Sequence, residues 1–329
     1  MTTTQKPLRR LATLAALPAL IAMSLGLALP AQAQSPYPTH AVELVVPFQP
    51  GGGTDALARA FADSTRKFMP QAMIVVNRPG ASGAIGWQEV VNAKPDGYKL
   101  AVVTVEVTTL PHMGLAKFTY DDFTPIARLN ADQAAITVRA ESPYNTIEEF
   151  LAASKKEAGK VSVGNAGNGS IWHLAAAALE DKASVKFNHV PFQGAGPAVL
   201  ALLGGHIDAV AVSPAEVTTY VQAGKLKTLA VMADQRVKGF EKVPTLKERG
   251  IDLTIGTWRG IAAPKNTPPE IVAYLKDVTL KASKEPALLE IMDKQNLGVS
   301  YADAPTFKAA MAKDSDYFKV LMAKLNIKN

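Results

Sequence analysis

A chain of 329 residues that is 48% hydrophobic and 19% charged has ordinary globular composition and is long enough for two domains. Its net charge of +6 falls to +3, with 32 basic against 29 acidic side chains, once Lys6, Arg9 and Arg10 are set aside as part of a leader. No basic cluster of the nucleic-acid-binding kind remains, and the absence of cysteine excludes disulfides, thiolate metal ligands and a lipid-modified cysteine.

The leader is expected over residues 1–33. A positive start without acids is followed by an apolar run from Leu11 to Leu29 and a small-x-small cleavage site at Ala31-Gln32-Ala33. Cleavage there would release a mature chain near Gln34 into the periplasm as a soluble protein. No later segment approaches the roughly 20 apolar residues a membrane span needs.

The mature chain begins with a strand pattern, Val42 to Val46, and then Pro47-Phe48-Gln49-Pro50-Gly51-Gly52-Gly53-Thr54-Asp55. A helical pattern follows through Ala56, Leu57, Ala60 and Phe61. A glycine-rich turn opening a helix is a place for an anion. The first backbone N–H groups of the helix lack internal partners, and the helix dipole favours negative charge there. A short buried strand is expected at Ala72–Val76. Asn77-Arg78-Pro79-Gly80-Ala81-Ser82-Gly83 then opens a second helix, and Tyr98–Val105 reads as a third strand. Strands alternating with helices over short loops argue for a parallel sheet.

Phe123–Leu129 and Ala134–Val138 are extended runs leading to a new unit. A helix begins at Thr146 or Ile147, with Asn145 or Thr146 as its cap. Val161–Val163 is a strand before Asn168-Gly169-Ser170 and the helix from Ile171. Lys186–Val190 is a strand before Gln193-Gly194-Ala195 and the helix over Ala198–Leu203. Ile207–Val212 and Leu226–Met232 add strands around a helix at Pro214–Ala223, and Gly256–Pro264 looks like a return strand. Proline-led amphipathic helices at Pro269, Pro286 and Pro305 complete the chain.

These loops together resemble the Bug family of periplasmic solute receptors, the substrate-binding components of tripartite tricarboxylate transporters. The resemblance is carried by Pro47-Phe48-x-Pro50-Gly51-Gly52-x-x-Asp55, Asn77-Arg78-Pro79-Gly80-Ala81-x-Gly83 and Pro95-Asp96-Gly97-Tyr98. It continues through Asn168-Gly169-Ser170, Val190-Pro191-Phe192-x-Gly194-x-x-Pro197-Ala198, Gly204-Gly205-x-x-Asp208 and Ala223-Gly224-Lys225-Leu226, and so covers essentially the whole mature chain. It implies an α/β fold of two domains, type II-like, each a mostly parallel sheet flanked by helices, with the ligand cleft between them. Residues 34–135 plus 260–329 would form one domain and 136–259 the other. It implies closure on a small carboxylate, a di- or tricarboxylate first, and delivery to two membrane permease subunits. A monomer is expected, with no cofactor, no metal and no nucleic acid. The ligand loops map onto Phe48, Gly52, Gly53, Thr54 and Asp55; Ala81, Ser82 and Gly83; Asn168, Gly169 and Ser170; and Gln193, Gly194 and Ala195. Glu106, and Trp172 with His173, depart from the common pattern. Glu106 and His173 are nevertheless counted with the ligand-binding residues, and a glutamate there could meet a ligand amine or a cation. Arg78 and Arg259 are the nearby charges.

Other readings compete. Gly51-x-Gly53-x-x-Ala56 fits a dinucleotide loop with alanine last, but the acid such folds place after the second strand is replaced by Asn77-Arg78. A periplasmic hydrolase of a carboxylate or ester would use Ser170 and His173 as nucleophile and base, yet Ser170 is also a good helix cap and no Gly-x-Ser-x-Gly is present. His40, His112, His189 and His206 show no metal-binding spacing. Phe48 and Trp258 are candidate cleft walls or plain core.

Overall fold

Two mixed sheets organise the chain, and the strands that cross between them set the site. The computed structural model describes residues 1–4, 37–325 and 327. The charged and apolar parts of the expected leader and its cleavage site lie outside the described residues. From Pro38 onward the chain forms one compact unit.

The first sheet starts with β1 (Val42–Val46), α1 (Gly53–Thr65), β2 (Met73–Asn77), α2 (Ala84–Val91) and β3 (Lys99–Thr104). β1 buries every residue but Glu43 and pairs in parallel with β2 on one side and β3 on the other. β-branched residues buried on both faces are what a central parallel strand requires. Trp87 of α2 is fully buried and donates Nε1–H to the Val102 carbonyl at 3.0 Å, which ties the helix to the sheet. β4 (Phe123–Gln133) runs on almost directly into β5 (Ala135–Arg139), the first strand of the second sheet.

The second sheet continues with α3 (Ile147–Lys156), β6 (Ser162–Asn165), α4 (Ile171–Ala183), β7 (Asn188–Pro191), α5 (Ala195–Leu203), β8 (Ala209–Val212), α6 (Thr218–Gln222) and β9 (Leu226–Val231). Thr146 caps α3, its hydroxyl accepting from the Glu149 amide. The chain returns through β10 (Gly256–Pro264) to the first sheet and ends with α7 (Pro269–Ala282), α8 (Pro286–Lys294), β11 (Val299–Asp303) and α9 (Ala304–Lys324). Strand order is β11-β4-β10-β3-β1-β2 in one sheet and β7-β6-β8-β5-β9 in the other.

The parallel expectation holds for β1 with β2 and β3, and for β6 with β7 and β8. It fails for β4, β5, β9, β10 and β11, whose pairings are antiparallel, so both sheets are mixed. The reason is topological. A segment that leaves one sheet for the other and comes back meets its neighbours head to tail, without the helical crossover that makes strands parallel. β11 escaped the sequence reading because it is an edge strand, Val-Ser-Tyr-Ala-Asp, with only Ala302 buried.

The two crossing points lie side by side. Ala134 donates its N–H to the Ile255 carbonyl at 2.9 Å, the Ile255 N–H goes to the Met232 carbonyl at 3.1 Å, and the Met232 N–H goes to the Ala134 carbonyl at 2.7 Å. Among the described residues no helix is long and apolar enough to cross a membrane.

Candidate functional site

The ends of β1, β3, β6, β8 and β10 converge on one cavity. The loop from β1 to α1 forms one wall. Gly52 is the N-cap of α1 and supplies no side-chain cap. Asp55, in the first turn, turns back on its own loop. Its carboxylate accepts from Gly51 N at 3.2 Å, from Arg59 Nε at 3.1 Å and a terminal nitrogen at 2.8 Å, and from Asn77 Nδ2 at 3.0 Å. The same Asn77 nitrogen reaches the Phe48 carbonyl at 3.0 Å. Burial pulls the Asp55 pKa up, but the bonds from Arg59, Asn77 and Gly51 outweigh it and hold the group below the ordinary carboxylate range.

Arg259 of β10 stands at the centre, 1% exposed. Its Nε donates to Thr54 Oγ1 at 2.9 Å, and one terminal nitrogen donates to Asn130 Oδ1 at 2.6 Å and to Asp132. The other terminal nitrogen reaches Glu216 Oε1 at 3.3 Å. Glu216 also accepts from the Ser213 N–H at 3.0 Å and lies beside the Gly53 amide, which helps to lower its pKa. Burial pushes its pKa up to about 7 against the pull of Arg259, with Asp132 adding to the rise. Glu106, 2% exposed, follows β3 and accepts from the Ile171 N–H at 3.0 Å and from the Thr104 hydroxyl. Burial raises its pKa too, over the opposing effect of those bonds and of Arg259. Glu216 therefore sits on the first amide of α1, and Glu106 on the first amide of α4.

The two sides of the cleft are bonded to each other. Gln49 N–H donates to the Gln193 carbonyl at 3.1 Å, Ser82 hydroxyl to the Asn168 carbonyl, and Thr109 hydroxyl to the Gly169 carbonyl at 3.3 Å. A Cβ on Gly196 would lie 3.0 Å from the Pro50 carbonyl oxygen, so the start of α5 can reach the first loop only as glycine. Gly194 holds φ at 133°, which turns the chain toward Phe48. The cavity between the two sides is about 20 Å³ and partly open to solvent, room for a water or so.

Of the expected ligand residues, Phe48, Gly52, Thr54, Asp55, Glu106 and Ala195 line this cavity. Ala81, Ser82, Asn168 and Gln193 line a second, more open depression of about 320 Å³. The others stand behind. Gly53 packs against Glu216, a Cβ on it lying 3.3 Å from Glu216 Cγ, and Gly83 packs so closely that a Cβ would meet the Trp87 ring at 2.5 Å. Gly169 donates its N–H to His173 Nδ1 at 3.2 Å, and Ser170 caps α4 by accepting from the His173 N–H at 3.2 Å. Ser170 and His173 are thus tied to the backbone. Burial, followed by the charge of His189, lowers the His173 pKa to about 4. Trp172 lines the cavity, whereas Trp258 donates to Asp314 at 2.7 Å and packs edge-on against Phe307 in the core. Arg78 pairs with Glu89 at the surface.

Sequence reasoning missed Glu216, Asp132, Asn130 and Thr104. Ser213-Pro214-Ala215-Glu216 does carry a signal, a capping-box spacing directly after a buried strand pattern. Asp132 and Asn130 alternate along β4 toward one face, but nothing local says that the face meets Arg259.

Residues 57–327 match the model of the tripartite tricarboxylate transporter family receptor, TctC. The chain belongs to this family. The receptor is similar to a Cupriavidus necator protein described as "UPF0065 protein in gbd 5'region", 36% identical over 309 residues, 92% of this chain and 94% of that one. Among solved structures it resembles a TctC solute-binding protein from Polaromonas without ligand, with 60% identity, 88% of this chain and 99% of that one covered, and a TM-score of 0.65. It also resembles MatC from Rhodopseudomonas palustris with bound malate, with 27% identity, 87% and 99% covered, and a TM-score of 0.82. The motif resemblance named the same family, and the chain is a solute-binding receptor rather than an enzyme.

Proposed function

We propose that this receptor works in the periplasm as a monomer, capturing a small carboxylate by closing its two sheets' lobes and handing it to the permease subunits of a tripartite transporter. The observation that carries the reading is the cleft itself, bridged by bonds such as Gln49 to Gln193 and Ser82 to Asn168 over a cavity with room for little more than a water. The superpositions support closure as the working motion. The chain fits the malate-bound MatC better than it fits the ligand-free Polaromonas protein, despite less than half the identity. The moving bodies are the lobes of the two sheets, hinged about the Ala134 and Ile255 crossings; the boundary expected at 259/260 falls inside β10, a strand of the first sheet, and moves back to Ile255.

The uncapped N-terminus of α5 supplies a favourable dipole for a ligand carboxylate, and the loop glycines let backbone amides approach it. The malate held by MatC supports the size class, and di- and tricarboxylates come first in a screen. The test is a thermal-shift screen of the mature chain. A carboxylate ligand at 100 times its Kd adds about 2.7 kcal/mol of stability, so a clear rise in Tm is expected. If no di-, tri- or amino carboxylate raises Tm or gives titration heat, the carboxylate reading fails.

A further inference from the structure

The cleft has filled two of its own anion positions and left a third open. The N-termini of α1 and α4 face the cavity, and each carries a buried carboxylate of this chain, whereas that of α5, which reaches the cavity at Ala195, carries none. Glu216 sits on the Gly53 amide of α1, and Glu106 on the Ile171 amide of α4. These are the places where a plain dianion would find unpaired N–H groups and a favourable dipole. Both glutamates line the cavity, with Arg259 beside them.

The cations do not match the anions. Asp55 has Arg59 to itself. Asp132 and Glu216 share the one guanidinium of Arg259, and Asp132 takes the closer bond. The hydrogen bonds of Glu106 come from a hydroxyl and an amide, neither of them charged. A dianion brought into this space would meet like charge from whichever of these carboxylates is ionised. An ammonium group would meet two carboxylates that lack a cation of their own.

A second polar group close to the cavity wall is unsatisfied. Asn165, at the end of β6 and next to the cavity-lining Ala166, has a fully buried Nδ2 donor with no partner. A buried donor of that kind calls for an acceptor such as a carboxylate oxygen.

We infer that Glu106 and Glu216 are specificity-determining residues of the cleft, which takes a carboxylate that also bears an ammonium group and discriminates against plain di- and tricarboxylates. This rests on the carboxylate-receptor reading and narrows it. The ammonium bonds to Glu106 and Glu216 from within the cavity and balances their charge. Ligand carboxylate oxygens take the helix N-terminus that no side chain of this chain caps, that of α5.

Calorimetric titration of the mature chain with matched pairs tests this. Succinate against aspartate, and glutarate against glutamate, differ by one ammonium group. The titrations are run in EDTA, so that no divalent cation can stand in for it. The amino member of at least one pair should bind tighter by about tenfold or more, the scale of a charge-assisted bond. Glu106→Gln and Glu216→Gln, each checked for folding by circular dichroism, should shrink that ratio by a similar factor. The inference is overturned if the plain acids bind as tightly as their amino partners in the unaltered chain. It is overturned equally if the ratio is unchanged in whichever variants fold. The pair comparison needs no variant, so misfolding of both leaves a decisive measurement. If neither member of either pair binds and citrate fails too, the carboxylate reading falls and takes this inference with it.

Discussion

Asp55 and Glu216 are both buried carboxylates beside the N-terminus of α1, yet their environments oppose each other. Asp55 belongs to the most recognisable stretch of the sequence. It is clamped by Arg59, Asn77 and Gly51, and its pKa is lowered. Glu216 lies outside the glycine-rich motif, shares Arg259 with Asp132, and has its pKa raised to about 7. A carboxylate with its own cation fixes a loop, whereas one that must share a cation keeps its charge in question until something else enters. The residue that announces the loop is its scaffold, and the residues that give the cleft its electrical character come from elsewhere in the chain.

Removing the shared cation should break this contrast most severely. Arg259→Met leaves Asp132, Glu216 and Glu106 without it, and breaking a buried pair on one side costs about 3–5 kcal/mol. Urea unfolding should show a loss of that order, and an unchanged midpoint would mean that the Arg259 ion pairs contribute nothing to the folded state. Asp55→Asn removes one side of the loop clamp. A loss of about 1–3 kcal/mol is expected in the same assay, at the low end because Arg59 is half exposed. Since the Asp55 carboxylate is consumed by its own loop, solute affinity should fall less than affinity in Arg259→Met. The reverse order would make Asp55 a direct ligand group. Ser170→Ala should cost about 1 kcal/mol as a lost helix cap.

The pH dependence sharpens the comparison further. Glu216 has a folded pKa of about 7, above the ordinary 4.5, so the folded state binds the extra proton between those values. Its contribution to stability is complete below 4.5 and is lost as pH rises through 7. His173 behaves in the opposite sense. Its folded pKa of about 4 lies below 6.5, so its contribution is present above 6.5 and is lost as pH falls toward 4. Melting temperature followed from pH 4 to pH 8 should therefore lose one slope in Glu216→Gln and the opposite slope in His173→Asn. Parallel profiles for both variants and the parent chain would show that neither group titrates with folding.

Much of the fold was legible because its signals are local. The buried run Val42–Val46, the Pro-Gly turns and the proline-led helices at 269, 286 and 305 each declare an element within a few residues. Thr146 and Ser170 could be read as caps from their neighbours alone. The edge strand Val299–Asp303 could not, because an exposed strand lacks the apolar pattern that marks a buried one. The antiparallel return of β10 also escaped, since direction is set by which strands it lies between.

The sequence by itself determined the family, the glycine loops and the residues that shape the lips of the cleft, because those depend on backbone conformation and short-range hydrogen bonding. Only the tertiary structure decided what fills the cleft. Arg259, Asp132, Glu216 and Glu106 are separated by up to about 150 positions in the chain and meet because β3, β4 and β10 and the turn after β8 end at one place. The balance of charge in a buried space depends on distance through the protein, and no local pattern records that distance.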